Sequence, residues 1–159
     1  MAVLDIITTY LLPSVYAFLA CVGFCFIFNI HGTGVIVGSL GGGIAWLVYL
    51  LCGSSIMAGF LAAMAVGAYS EAMARLRRCP ATGYVLIGLL PLVPGGGIYY
   101  AMSYCVGGYK DLFLIRLLNT FGMAAALAIG AMLSASLFRA LFPRFPHFAR
   151  FPYAPRWRR

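Results

Sequence analysis

Apolar residues along this chain fall into five long runs, which polar or glycine-containing segments separate. A helix needs about 20 apolar residues to cross a bilayer, and each run is about that long or longer. The pattern therefore predicts an all-α integral membrane protein, a polytopic bundle of about five transmembrane helices. Four helices are the alternative, with one run re-entrant or lying at the interface. The runs cover about 4–28, 33–52, 56–73, 81–106 and 112–142, and the last is long enough to tilt or to project beyond the bilayer.

The composition supports the same class. Of the 159 residues, 64% are hydrophobic and 9% are charged, whereas soluble domains carry roughly 25% charged residues. So few charges cannot cover a soluble fold of this size, which excludes a globular cytosolic enzyme, a secreted disulfide scaffold and a disordered chain. We expect a transmembrane domain over residues 1–142, followed by a basic tail rich in Phe, Pro and Arg at 143–159.

The basic residues indicate how the chain is oriented in the membrane. The net charge is +8, with one basic cluster at Arg75, Arg77 and Arg78 and a second in the tail. Basic residues beside membrane spans favour the cytoplasmic side, and the two crossings between the clusters allow both to lie there. The C-terminus is therefore predicted to be cytoplasmic and the N-terminus to be outside. We expect the tail to bind anionic lipid headgroups, and this distribution argues against nucleic acid as a partner.

The tail also contains a repeat of four triplets, which begin at Phe142, Phe145, Phe148 and Phe151. Polyproline II has three residues per turn and would place these rings along one edge. A ribbon on the cytoplasmic headgroups and a disordered basic tail both fit this pattern.

Small residues recur at four-residue spacing in three of the runs. Lipid tails provide no hydrophobic force between helices, so close backbone approach at small residues drives much of their packing. Three such ridges imply more helix–helix contact than five short helices need among themselves. We therefore expect a partner, either another copy or a different chain. The alternative is that small residues are simply common in membrane helices. The three ridges are Gly34, Gly38 and Gly42; Gly59, Ala63 and Gly67; and Gly122, Ala126, Gly130 and Ser134.

The fourth run contains a segment that cannot continue a regular helix. About 13 Å of helix precedes this segment and about 20 Å follows it, which places the break near the bilayer midplane. Unwound backbone there must be buried in protein or line a polar cavity, and transporters commonly bind substrate at such breaks. A half-helix beginning near Gly95 would present the N–H groups of Gly96, Gly97 and Ile98 to a carboxylate. The candidate substrate-binding residues are Pro91, Pro94, Gly95, Gly96, Gly97 and Tyr99, and a structural proline kink without a site is the alternative.

Four polar residues are candidates for a coupling group or a polar pathway. Glu71 is either a protonatable carboxylate in an apolar context or the salt-bridge partner of Arg75, which follows four residues later on the same helix face. Asn29 and Asn119 either bond between helices or line a pathway. The sequence contains no Ser/His/acid set, no paired carboxylates, no phosphate-binding loop and no zinc-type spacing. We therefore expect no enzyme, no metal and no cofactor.

An ordered set of motifs resembles the threonine/serine exporter family, specifically the short chain that corresponds to its C-terminal membrane half. The resemblance is strong over about residues 23–102 and continues weakly through the fifth run, whereas the 143–159 tail lies outside it. The motifs are, in order, Phe28-Asn29, Gly42-Gly43-Ile44-Ala45-Trp46, Ser70-Glu71-Ala72-Met73-Ala74-Arg75, Pro80-Ala81, and Pro91-Leu92-Val93-Pro94-Gly95 with Tyr99.

The resemblance implies a bacterial inner-membrane exporter of small carboxylate metabolites, either threonine/serine-type amino acids or a dicarboxylate such as succinate. It also implies a second, larger membrane subunit that carries the N-terminal half of the exporter. It transfers no binding residues, so the candidate site rests on the broken helix. We therefore predict the small subunit of a two-component secondary exporter. A non-transporting membrane scaffold or assembly subunit of a larger complex is the alternative.

Overall fold

The computed structural model describes residues 7–141, and all the regular secondary structure of that part is helical. Four helices are each long and apolar enough to cross a membrane, and two shorter ones, bent by 46° at a short break, would together make a fifth span. This confirms the predicted all-helical polytopic membrane protein. The tail at 143–159, with its expected ribbon and lipid contacts, lies outside the described residues. The helices are α1 (Ile7–Ile27, with a π-helical first turn at Ile7–Leu11), α2 (Thr33–Leu51), α3 (Ile56–Arg77), α4 (Ala81–Leu89, prolonged by a 3-10 turn at Leu90–Leu92), α5 (Gly95–Val106) and α6 (Lys110–Leu141).

The turns between the helices contain residues in left-handed backbone conformations. Gly32 before α2 and Gly53 after it have φ angles of 67° and 83°, which glycine adopts without a steric penalty. Ser55 then caps α3, because its hydroxyl accepts a hydrogen bond from the N–H of Ala58 at 3.2 Å. Arg78 ends α3 in the left-handed region, with a φ of 54°. The short segments between the apolar runs therefore set where the helices stop and start.

The small-residue ridges pack inside the chain. In the first ridge, Gly38 and Gly42 of α2 contact α1 and α4. In the other two, Gly67 lies against Ser134 and Gly59 of α3 lies against α6, so α3 and α6 run parallel over a long seam. Small side chains here let the helices of this one chain approach closely, so the ridges are not by themselves evidence of a partner, which stays a prediction.

One end of the bundle carries the arginines of α3, and we call it the arginine end. α1 ends there, α4 begins there, and the side chain of Arg77 donates a hydrogen bond to the hydroxyl of Thr33 at the start of α2. From this end α4 passes between α2 and α3, so that Gly88 lies against Gly41 and Val66. α5 then continues past the end of α3 that lies opposite the arginines, where Gly97 lies against Thr120 of α6.

α5 and the first part of α6 extend beyond the other helices. Gly122 of α6 lies beside Ile56, the first residue of α3. Residues 110–121 of α6 therefore project past α3 by about 18 Å at 1.5 Å per residue. α6 is the helix with which α5 makes its extensive contacts. We call α5 together with residues 110–121 the projecting hairpin, and whether α6 tilts in the bilayer or projects beyond it stays a prediction.

Candidate functional site

The helix break lies at the sequence positions predicted for it, between Leu92 and Gly95. After the 3-10 turn of Leu90–Leu92, Val93 has an extended backbone, and α5 begins at Gly95. Pro94 between them has φ −78° and ψ 57°, and the N–H of Gly95 bonds back to the carbonyl of Val93 at 2.8 Å. This is an inverse γ-turn. It redirects the chain by 46° between the two half-helices.

The first side of the break is held firmly by the bundle. Leu92 is 3% exposed and belongs to a cluster that includes Ala62, Ala63 and Val66 of α3. The ring of Pro91 lies against Gly42 of α2. These contacts place the break beside the N-terminal half of α3, because the middle of that helix is at residues 66–67. The break is therefore displaced from the middle of the bundle toward the end opposite the arginines.

The second side of the break is open. Gly95 and Gly96 are exposed, and a Cβ added to either would meet nothing within 4 Å. Gly97 instead lies against α6, where its Cβ would come within 2.5 Å of the Thr120 hydroxyl oxygen. The N–H of Ile98 bonds to the carbonyl of Pro94 at 3.3 Å, so the expectation that this N–H is free is wrong. Gly96 and Gly97 keep N–H groups that meet no acceptor within residues 7–141.

Tyr99 shares a face with the open glycines. It follows Gly95 by four residues and Gly96 by three, and residues at these spacings are neighbours on a helix surface. Its side chain is 70% exposed, and its ring meets that of Tyr100 edge-on, with the centroids 5.5 Å apart. The break thus gathers two uncapped N–H groups, a surface without side chains and an aromatic ring at one exposed helix start. Such an N-terminus is suited to an anionic group.

The candidate coupling residues at the arginine end form an ion pair. Arg75 approaches the Glu71 carboxylate at 3.1 Å and donates a second hydrogen bond to the Glu71 carbonyl at 3.0 Å. Its guanidinium also lies 5.1 Å above the ring of Phe138 on α6, where a cation is attracted to the ring face. The structure therefore contains the salt bridge that the spacing suggests. A coupling role for Glu71 stays a prediction.

The two asparagines lie at opposite ends of the molecule. Asn29 is exposed in the turn between α1 and α2, with a φ of 56°, and its carbonyl lies 3.0 Å from Nδ1 of His31. Asn119 is exposed on α6, next to the Thr120 that supports Gly97. The structure thus brings Asn119 near the break, whereas it leaves Asn29, Glu71 and Arg75 at the arginine end.

Two residues with buried polar atoms were not singled out from the sequence. The indole nitrogen of Trp46 and the hydroxyl of Ser70 are buried and have no hydrogen-bond partner among the described residues. Trp46 packs against the same cluster as Leu92, so its nitrogen lies in the layer that supports the break. Both residues belong to motifs that carry the family resemblance, and these motifs are the sequence signal that could have identified them. Within residues 7–141, no three His, Cys, Asp or Glu side chains are grouped as a metal site would require.

Comparison with known families gives one match. The sequence model of a family described as "Threonine/Serine exporter, ThrE" matches residues 13–137, which include most of every candidate span and the whole break. Searches of curated proteins and of solved structures found no significant match.

Proposed function

Because this chain belongs to the threonine/serine exporter family, we propose that it is the small membrane subunit of a two-component secondary exporter. The family and the apolar helices identify a multi-pass membrane protein of exporter type and point away from an enzyme. Its substrates would be small carboxylate metabolites, either threonine/serine-type amino acids or a dicarboxylate such as succinate, moved out of the cytoplasm. The observation that carries the proposal is the open N-terminus of α5 within an apolar span.

The physical argument starts from the backbone of the break. Hydrocarbon offers no hydrogen bonds, so N–H groups such as those of Gly96 and Gly97 persist in a membrane only beside protein or a polar cavity. A substrate carboxylate would accept hydrogen bonds from both groups and would gain from the positive end of the α5 dipole. Glycines at this end let a ligand approach the backbone closely. The substrate site of the exporter would therefore lie at residues 91–97, with Tyr99 beside it.

The projecting hairpin supports a larger partner chain. Its surface carries exposed apolar side chains such as Val106, Leu118 and Phe121, and also exposed Arg116 and Asn119. In water the apolar side chains would be uncovered, and in lipid the arginine and the asparagine would be costly. A polypeptide partner with matching apolar and polar groups resolves both problems. We assign this surface to the larger subunit, which would also enclose the open side of the break.

We place the exporter in the bacterial inner membrane with the arginine end and the C-terminus in the cytoplasm. Arg75, Arg77 and Arg78 lie together at one end of the bundle, which is the distribution that favours a cytoplasmic location. The anionic-lipid contacts proposed for 143–159 would act at the same face.

Efflux from preloaded bacterial cells tests the proposal. Cells loaded with labelled threonine, serine or succinate would express this chain alone, the larger subunit alone, or both. Efflux that requires both chains, and that can be driven against a gradient, is the expected result. Efflux by this chain alone would indicate a homo-oligomer, and flux that only follows the gradient would indicate a channel.

A double substitution separates an exporter from a non-transporting scaffold. Pro94→Ala with Gly96→Leu fills the open N-terminus of α5, and Gly96 has space for a side chain. We expect efflux to stop while the two chains still co-purify. Gly23→Leu is the matched control, since a Cβ there also meets nothing within 4 Å, and it should transport normally. Loss of co-purification in the double variant alone would favour the scaffold.

A further inference from the structure

A second candidate site lies at the arginine end, away from the helix break. It is a pocket of about 260 Å³ between the α1–α2 turn, the α3–α4 turn and the first turns of α4. Its wall is mostly apolar, with Phe28, Ile30 and Ile87, and its polar side chains include Thr82 and Tyr84. Apolar clefts with a few polar groups are typical of small-molecule sites, and those for larger ligands measure roughly 300–1,000 Å³. This pocket therefore has the size for a small metabolite.

The start of α4 contributes unbonded backbone N–H groups to the pocket. The residue before the helix is Pro80, which lines the pocket and provides no side-chain cap. The N–H groups of Ala81, Thr82 and Gly83 meet no acceptor in residues 7–141. A helix N-terminus in this state attracts anions through its free N–H groups and its dipole.

Tyr84 is an independent sign of a ligand. Its side chain is 6% exposed and lines the pocket, yet its hydroxyl forms no hydrogen bond with any residue in the described part of the chain. The hydroxyl oxygen lies 4.0 Å from the Cβ position of Gly34, beside Ile30 of the pocket wall. The hydroxyl oxygen is not among the fully buried polar atoms, so a group that enters the pocket could reach it. A ligand carboxylate in the pocket would accept the missing hydrogen bond.

The charges around the pocket favour an anion. Arg77 and Arg78 directly precede Cys79 and Pro80, which line the pocket, and Arg77 donates a hydrogen bond to Thr33. Of the two acids among residues 7–141, Glu71 lies at this end and Asp111 at the other, and Arg75 pairs with Glu71 at 3.1 Å. The local potential is therefore positive, which raises the concentration of anions near the mouth.

We propose that this pocket is the cytoplasmic loading site of the exporter, which binds the carboxylate of the metabolite before export. This inference rests on the proposed function and orientation. The N–H groups at the start of α4 and the Tyr84 hydroxyl donate hydrogen bonds to the carboxylate, while the apolar wall covers the rest of the molecule. Loading site and break lie at the two ends of the same half-helix, about 18 Å apart over residues 81–92.

The first test removes only the hydroxyl. Inside-out membrane vesicles that contain both subunits expose the arginine end to the medium, and uptake of labelled threonine, serine or succinate then measures loading. We expect Tyr84→Phe to raise KM about tenfold, the loss expected for one hydrogen bond to a charged group, with little change in maximal rate. Tyr49→Phe is the control, since its hydroxyl donates to the carbonyl of Ser54 near the other end. An unchanged KM in Tyr84→Phe would overturn the proposal.

The second test fills the pocket. Gly83 lines it, and a Cβ there would meet only Ile30, at an ordinary contact distance of 3.9 Å. Gly83→Leu should therefore fold and co-purify with the larger subunit, yet lose most of its uptake. Gly23→Leu, on an open face of α1, should keep it. Wild-type uptake by Gly83→Leu would contradict a loading role for the pocket.

The third test does not depend on transport. The thiol of Cys79 lines the pocket, whereas Cys105 is exposed near the opposite end. Threonine, serine or succinate should slow maleimide labelling of Cys79 at least several-fold and leave Cys105 unaffected. Protection of Cys79 without any uptake would retain the binding site and reject the exporter. Uptake without protection would reject the loading site and retain the exporter.

Anionic lipid is the other source of a group that this chemistry would bind. Reconstitution in phosphatidylcholine, with and without phosphatidylglycerol, distinguishes the two. Metabolite protection of Cys79 in pure phosphatidylcholine supports the loading site. Protection by phosphatidylglycerol alone, with no effect of any metabolite, would assign the pocket to a lipid headgroup and overturn the proposal.

Discussion

The seam between α3 and α6 makes a quantitative prediction at Gly130. A Cβ at this position would lie 2.6 Å from the carbonyl oxygen of Phe60 and 2.9 Å from Cβ of Ala63. Ordinary contacts begin near 3.4 Å, so Gly130→Ala requires the helices to separate locally by about 0.8 Å, the difference between 3.4 and 2.6 Å. The Phe60 carbonyl oxygen belongs to the backbone, so it cannot move aside by a side-chain rotation. A gap of this size forfeits about a quarter to a half of the dispersion energy of the contacts involved.

The expected cost follows from two opposing effects. Overpacking a close contact typically costs about 1–3 kcal/mol, whereas replacing a helical glycine by alanine gains roughly 0.5–1 kcal/mol. We therefore expect Gly130→Ala to lower the free energy of unfolding by about 0–2.5 kcal/mol, that is, by about 1–3 kcal/mol more than the same change at a helical glycine that has space. At Gly23, where a Cβ meets nothing within 4 Å, the same change should leave stability unchanged or raise it.

Unfolding in mixed micelles by dodecyl sulfate provides the assay. Trp46 packs in the core cluster beside the seam and reports the loss of packing by its fluorescence, with Trp157 replaced by Phe to remove the second signal. The midpoint for Gly130→Ala should shift to lower detergent than that for Gly23→Ala. Equal midpoints for the two variants would refute the close approach of α3 and α6 at this residue.

Three further predictions concern other parts of the molecule. Cys79 and Cys105 should react with a membrane-impermeant maleimide from opposite sides, since α4 and α5 separate them, whereas labelling from one side would indicate a re-entrant fourth run. Glu71→Gln should lower the free energy of unfolding by about 1 kcal/mol through loss of the bridge to Arg75 and leave efflux intact; lost efflux with normal assembly would make Glu71 a coupling group. Ser70→Ala should raise stability by about 1 kcal/mol in the same unfolding assay, because it removes a buried hydroxyl without a partner, and a lower stability would reveal that the hydroxyl is bonded.

Local constraints were readable from the sequence. Proline and glycine at residues 91–97 leave few backbone choices, so the start of α5 at Gly95 was predicted correctly. The second run, expected at about 33–52, is the helix Thr33–Leu51. The third run was expected to end near residue 73, but the helix continues to Arg77. The apolar run was ended before the basic cluster that begins at Arg75, whereas basic side chains stabilise the last turn of a helix.

Features that depend on how the helices pack against one another could not be predicted from the sequence. The depth of the break follows from Leu92 packing beside Ala62 and Ala63, which are about 30 residues away in sequence. The use of the small-residue ridges within the chain depends likewise on which helices meet. The pocket beside Tyr84 arises from two turns that are far apart in sequence. Hydrophobic periodicity identifies each helix but does not state its neighbours, so the second site was invisible until the helices were assembled.

The continuity of α6 gives the molecule a mechanical property. One unbroken helix runs from the projecting hairpin to the arginine end, whereas the chain beside it is interrupted at Pro94. α6 is therefore stiff along its whole length, whereas α4 and α5 are joined at a break where their mutual angle could change. A tilt of the hairpin would therefore reach the seam with α3 through one unbroken helix, and the γ-turn at Pro94 is the point at which α5 could change its angle while α4 stays in place.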